Sequence, residues 1–195
     1  MANIINFLLV GVGGQGILTA SDIAASVGLE AGMEAKKSEV HGFSQRGGVV
    51  ESHVRWGDDV GAPTAEKGTV DFLVAIEMLE SARWIDWLRP GGAVFINRQR
   101  IAPMTVTVGN AIYPTDERIL DTVRARTADV TLVDALRVAE ELGDARMTNT
   151  VLLGALSTRL EVAPEIWLSV IEQRVPPKYA EPNWEAFWQG RRAVS

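Results

Sequence analysis

At 195 residues, with 47% hydrophobic and 23% charged residues, the chain is long enough to bury one sizeable core and has the balance of a folded globular protein. Its 19 Lys and Arg against 25 Asp and Glu leave a formal net charge of -6, which argues against a nucleic-acid binder, since that needs a basic face to neutralise phosphates. Cysteine is absent, so neither a disulfide nor a thiolate-held iron–sulfur cluster can belong to this chain.

The first apolar run, Ile4 to Val10, has the length of a strand. No basic region precedes it, and it is too short for a signal-peptide core or a membrane span, so a cytoplasmic protein with no membrane partner is expected. Gly11-Val12-Gly13-Gly14-Gln15-Gly16 follows, and behind it Ile17, Ala20, Ala24 and Val27 recur at helical spacing. Strand, glycine turn and helix is the context in which G-x-G-x-x-G carries meaning. Glycines let the backbone turn tightly and approach a neighbour closely, and the N–H groups at the helix start favour an anion.

A second strand is expected over Met33 to Val40, carrying Lys36 and Lys37. The polar, glycine-rich segment His41 to Gly48 reads as a loop, and Val49 to Trp56 alternates as a half-buried strand with Val50, Ser52 and Val54 on one face. Gly57-Asp58-Asp59 reads as a turn, and Asp71 to Ile76 as a central parallel strand buried on both sides. The following helix holds Leu79, Ala82, Arg83 and Trp87; Pro90-Gly91-Gly92 ends it and leads into a short strand, Ala93 to Asn97. Met104 to Val108 alternates as an antiparallel or edge strand, Asp116 to Arg126 reads as a helix, and Val130 to Val133 as a further strand.

From Asp134 the pattern is helical. Ala135, Val138, Ala139 and Leu142 mark one helix ended by Gly143, Thr148 to Leu160 a second, and Pro164 to about Arg174 a third. Trp184, Phe187 and Trp188 share one face of a short final helix, which could anchor a partner but reads more simply as packing on its own fold. The fold class is therefore α/β: a Rossmann-like, doubly wound, mostly parallel sheet with additional C-terminal helices. Residues 1–195 form one domain, an α/β core over about 1–134 and a helical part over about 135–195. Both glycine segments, 11–16 and 42–48, should sit at the carboxyl edge of the sheet.

A nicotinamide-dependent dehydrogenase would need an acid at the end of the second strand; Glu34 and Glu39 lie in that region, with Lys36 and Lys37 between them. A stand-alone nucleotide-binding Rossmann module needs less. The second segment, Ser38-Glu39-Val40-His41-Gly42-Phe43-Ser44-Gln45-Arg46-Gly47-Gly48, packs carboxylate, imidazole, amide and guanidinium into one glycine-rich stretch. It could bring Arg46 and backbone N–H groups against a phosphate or carboxylate, or simply be a solvated loop. His41 and His53, the only histidines, lack a clear third ligand, so no metal is expected in this chain. Neither a G-x-S-x-G elbow nor a Walker loop occurs.

These two glycine segments in this order, continuing to Val54-Arg55 and joined by Asp71-Phe72-Leu73-Val74-Ala75-Ile76-Glu77 and Pro90-Gly91-Gly92, resemble the gamma-type domain of 2-oxoacid:ferredoxin oxidoreductases, most of all its indolepyruvate branch. The likeness spans nearly the whole chain. It implies oxidative decarboxylation of a 2-oxoacid, acyl transfer to coenzyme A, and electrons passed through iron–sulfur clusters to ferredoxin. It also implies that thiamine diphosphate, magnesium and the clusters reside in a larger partner subunit. The chain lacks cysteines and shows no Gly-Asp-Gly…Asn-Asn pattern, which agrees with a subunit inactive alone and with no catalytic residue confidently its own. The expected contribution is to a composite or anion-binding site: Gly11, Gly13, Gly14, Gln15 and Gly16, with Ser38, Glu39, His41, Gln45, Arg46, Gly47 and Gly48.

Overall fold

A computed structural model describes residues 4–41 and 48–194. The first strand, β1 (Ile5–Val12), is buried along almost its whole length because it is covered from both sides. Phe7 and Leu9 face one hydrophobic cluster, and Leu8 and Val10 face another. This explains why an unbroken apolar run, rather than an alternating one, makes this strand. Each such side chain, fully buried, contributes about 1.5–3 kcal/mol.

Among the described residues the sheet has six strands, β2 (Glu34–His41), β3 (Val49–Gly57), β4 (Val70–Ala75), β5 (Leu88–Asn97) and β6 (Val130–Val133) joining β1 in the order β2-β3-β1-β4-β5-β6. The pairs β1–β4, β4–β5 and β5–β6 are parallel; β3 runs antiparallel to both β1 and β2. The sheet is thus mostly parallel, with one reversed strand inserted beside β1. The helix α1 (Ile17–Glu30) covers one face, together with α5 (Ala135–Glu141), α6 (Thr148–Ser157), α7 (Pro164–Arg174) and α8 (Ala180–Arg192). The other face is covered by α2 (Met78–Arg83) and α4 (Asp116–Arg124).

The C-terminal helices belong to the core. Phe187 of α8 is fully buried, with its ring centre 6.0 Å from that of Trp167, which in turn lies 6.1 Å from Trp56 of β3. Trp188 meets Phe187 edge-on, so the aromatic face of the tail packs on its own fold. The helices α6 and α8 touch backbone to backbone: a Cβ on Gly154 would stand 2.0 Å from the Phe187 carbonyl oxygen, and one on Gly190 1.9 Å from that of Val151.

Two expectations need correction. Pro90-Gly91-Gly92 does not end a helix. The helix α2 stops at Arg83, a 3-10 turn follows at Ile85–Trp87, and the Pro-Gly-Gly step bulges out of β5, whose Leu88 pairs with Val70 and Ala93 with Phe72. Proline has no N–H for the ladder, so the strand expels it. Met104 to Val108 is also not a strand. With no neighbour to complete a ladder, the segment closes on itself as the one-turn helix α3 (Met104–Thr107), none of it buried, with the Thr107 and Val108 N–H groups bonded to Pro103 and Met104.

Candidate functional site

The chain leaves β1 at its carboxyl end and turns through Gly13-Gly14-Gln15-Gly16 into α1. Gly16 sits at φ 74, a left-handed conformation that L side chains rarely adopt, and a Cβ there would meet the Asn149 side chain at 2.5 Å. The N–H of Gly13 donates to the Gly48 carbonyl at 2.8 Å, and that of Gln15 donates to Val12 at 3.1 Å. Among the described residues no acceptor meets the N–H of Gly14 or Gly16. Among the described residues these two donors at the start of α1 have no partner, a setting that favours an anion.

Amide side chains hold this turn in place. Gln15 Oε1 accepts from the Val12 N–H at 2.7 Å, while Nε2 donates to the Ile76 carbonyl at 3.0 Å and to Gln99 Oε1 at 2.9 Å. Asn97 donates to the same two acceptors, at 3.1 and 3.2 Å. Asn149, at the start of α6, donates to the carbonyls of Gln15 and Gly16 at 2.8 and 2.9 Å. Its own Oδ1 is buried and, among the described residues, has no hydrogen-bond partner.

A cleft of about 700 Å³ opens beside the turn. Gly13, Gly14, Gln15 and Gly16 form one wall, and Asp144, Arg146, Asn149 and Tyr179 contribute to the rest. Arg146 grips Asp144 through Nε and Nη2, at 2.9 and 2.5 Å, which holds that carboxyl down to about 2. The same guanidinium lies 5.2 Å from the centre of the Tyr179 ring and Lys178 Nζ lies 4.8 Å from it. Hydrogen bonding from Arg146, then Lys178, lowers the Tyr179 phenol from its ordinary value. The glycine turn thus faces an ion pair, Arg146 with Asp144, across the cleft.

The candidate residues read from the sequence fall into three places. Gly11, Gly13, Gly14, Gln15, Gly16 and Gly48 converge at one edge, because Val12 pairs with Val49 and so brings the ends of both glycine segments together. Ser38 and Glu39 do not line the cleft; they stand on the edge strand β2, in register with His53 and Ser52, and Glu39 pairs with Lys37. The His41 backbone is in register with Val50, while Gln45, Arg46 and Gly47 lie outside the described residues. Glu34, at the opposite end of β2, accepts from the Val60 N–H at 2.6 Å and pairs with Lys36. With β3 between β2 and β1, neither acid stands beside the glycine turn as a dinucleotide ribose would need.

Sequence reasoning missed Asn149, Asp144, Arg146 and Tyr179. The available signals were slight: a polar Asn at the head of an otherwise apolar helix, and an Asp two residues before an Arg.

The family model described as pyruvate ferredoxin/flavodoxin oxidoreductase matches residues 6–193. The chain is 40% identical over 192 residues to the indolepyruvate oxidoreductase subunit IorB of Pyrococcus horikoshii, covering 97% of this chain and 95% of that one. Among solved structures, the pyruvate oxidoreductase subunit PORC of Thermotoga maritima matches with a TM-score of 0.72 at 23% identity, over 97% of this chain and 96% of that one. The 2-oxoglutarate:ferredoxin oxidoreductase of Magnetococcus marinus, solved with 2-oxoglutarate, coenzyme A and succinyl-CoA bound, matches with a TM-score of 0.74 at 20% identity, over 98% of this chain but 31% of that one. Both structures share the fold, mixed sheet and flanking helices alike, and with the family match over almost every residue they lead to one statement: the chain belongs to the pyruvate ferredoxin/flavodoxin oxidoreductase family.

Proposed function

We propose that this chain is the cofactor-free subunit of a cytoplasmic 2-oxoacid ferredoxin oxidoreductase acting on indolepyruvate or another arylpyruvate. The complex decarboxylates the 2-oxoacid oxidatively, transfers the acyl group to coenzyme A and passes two electrons to ferredoxin. The observation that carries this reading is the meeting of the two glycine segments at one sheet edge, Gly13 against Gly48, beside an open cleft in a chain of this family.

Thiamine diphosphate with magnesium supplies the electron sink for decarboxylation when bound, and iron–sulfur clusters carry the electrons; both are assigned to a larger partner subunit. This chain's residues do not fit either group. It has no cysteine, and among the described residues no three His, Asp or Glu side chains converge. Its own part is to bind and orient. The N–H groups of Gly14 and Gly16 meet an anionic group of coenzyme A or of the cofactor, and Gln15 and Asn149 hold those N–H groups in position. Gln15 orients the turn rather than the ligand, since both of its amide hydrogens are already engaged. Arg46, whose place lies outside the described residues, is assigned the role of a further positive charge toward that anion.

The test is Arg46→Ala in the purified complex. The proposal expects intact assembly and a clear loss of acyl-CoA formation. Wild-type assembly together with wild-type acyl-CoA formation would refute the site role.

A further inference from the structure

Gln99 stands just beyond β5 and lines the cleft beside the glycine turn. Its backbone is tied on both sides: the N–H donates to the Asn97 carbonyl at 2.8 Å, and the carbonyl accepts from the Met78 N–H at 2.9 Å. Its side-chain oxygen accepts from two amides, Gln15 Nε2 at 2.9 Å and Asn97 Nδ2 at 3.2 Å.

Neither of those donors can be turned round. Gln15 presents its oxygen to the Val12 N–H at 2.7 Å, and Asn97 presents its oxygen to the Leu136 N–H at 3.3 Å. A backbone N–H can only donate, so in each amide the nitrogen is what remains for Gln99. The Gln99 oxygen is thereby held toward Gln15 and Asn97, and Nε2 is the arm of the planar group left over. Among the described residues that Nε2 donates to nothing, although Gln99 is half-buried, and it is not sealed from solvent as the Asn149 Oδ1 is. A neutral amide nitrogen offers two hydrogens, and here both are held ready at the cleft. Unsatisfied groups gather in this wall: the N–H groups of Gly14 and Gly16 stand in it, and so does Asn149, 7% exposed, with its partnerless oxygen. A donor fixed in advance costs little ordering entropy when a ligand arrives.

We propose that Gln99 is a binding residue of this cleft, its Nε2 donating to a phosphate oxygen of coenzyme A held at the N–H groups of Gly14 and Gly16. The inference rests on the reading of the cleft as the site of an anion, and it adds the side chain that recognises that anion. The chemistry of the wall selects the occupant. The diphosphate of thiamine travels with magnesium, which is held through carboxylates, and the one carboxylate lining the cleft, Asp144, is gripped by Arg146. Amide and backbone N–H donors suit a phosphate that brings no metal with it.

The test is Gln99→Glu in the assembled complex, with coenzyme A titrated by calorimetry in the absence of 2-oxoacid and its KM measured during turnover. One glutamate oxygen keeps both bonds, from Gln15 and Asn97, while the other sets a negative charge where the donor stood. The melting temperature should therefore not fall. Coenzyme A should bind about 30-fold more weakly or worse, and its KM should rise by a similar factor while kcat at saturation changes far less. A purely structural Gln99 predicts wild-type affinity, since the accepting oxygen is retained. If Gln99→Glu does not assemble, Gln99→Met decides: it removes the donor without adding charge, both neighbouring amides keep the Ile76 carbonyl, and about a 10-fold loss of affinity is expected. Coenzyme A affinity within about threefold of wild type would overturn the proposal and leave the subunit reading standing. A wild-type complex that does not bind coenzyme A would overturn the reading of the cleft, and the proposal with it.

Discussion

Truncating Gln15 to alanine tests how the glycine turn is held. The wild-type amide makes three hydrogen bonds, to the Val12 N–H, the Ile76 carbonyl and Gln99 Oε1. A sum over three bonds misstates the cost, because the partners are left in different positions. The Ile76 carbonyl and Gln99 Oε1 keep the Asn97 amide as a second donor. Only the Val12 N–H is orphaned, at about 1–3 kcal/mol, while the two shared bonds contribute about 0.5–1 kcal/mol each. Gln15→Ala should therefore destabilise the isolated chain by about 2–5 kcal/mol. Urea unfolding would show it as a lower midpoint at an unchanged slope. Asn97→Ala combined with Gln15→Ala should cost more than the two changes added, since together they strip both acceptors. A Gln15→Ala loss below about 1 kcal/mol, or strict additivity with Asn97→Ala, would refute this account of the turn.

Other outcomes follow from the same geometry. Gly154→Ala and Gly190→Ala each drive a methyl into a backbone carbonyl of the facing helix, and each should cost about 3 kcal/mol, a fall of about 6–12 °C in melting temperature; a fall under about 2 °C would show that α6 and α8 are not in backbone contact. Asn149→Asp replaces a donor by an oxygen facing the carbonyls of Gln15 and Gly16, so its carboxyl should be raised above the ordinary value. The variant should be closest to wild type below about pH 4 and lose stability as pH rises through the raised pKa; a pH-independent deficit would contradict this. His53 is buried, and burial together with the nearby Arg55 holds its imidazole below the ordinary 6.5. Below that pH the unfolded chain takes up a proton that the folded protein refuses, so stability falls with falling pH by up to about 1.4 kcal/mol per unit until the folded pKa is passed. His53→Asn should flatten that part of the curve in urea melts between pH 7.5 and 5, on the order of ordinary titration ranges; parallel losses in variant and wild type would contradict it.

Local pattern made much of the sheet legible. The run of β1, the glycine turn and the spacing of Ile17, Ala20, Ala24 and Val27 specify strand, turn and helix with no help from tertiary contacts, and all four helix residues are buried. The order of strands was less accessible. The antiparallel placement of β3 between β2 and β1 depends on which edges meet, and Val49–Trp56 has the same alternation wherever it pairs. The errors at Pro90-Gly91-Gly92 and Met104–Val108 share one cause. Pro-Gly-Gly can end a helix or bulge a strand, and an alternating β-branched stretch makes a strand only if a neighbour supplies the ladder. At the candidate site, the glycines were visible because their backbone demands are local. Asn149 and Tyr179 were not, since each lies more than 130 residues from the turn it faces and acquires its role only through packing of the C-terminal helices.

The central claim is that this chain takes part in the chemistry only as a subunit. Reconstitution measures it most directly: 2-oxoacid- and coenzyme A-dependent reduction of ferredoxin, with indolepyruvate as substrate, is followed for the chain alone, the larger subunit alone, and the two combined. The account predicts acyl-CoA formation and ferredoxin reduction only in the combined sample. Turnover by the chain alone, or undiminished turnover by the larger subunit without it, would contradict the account.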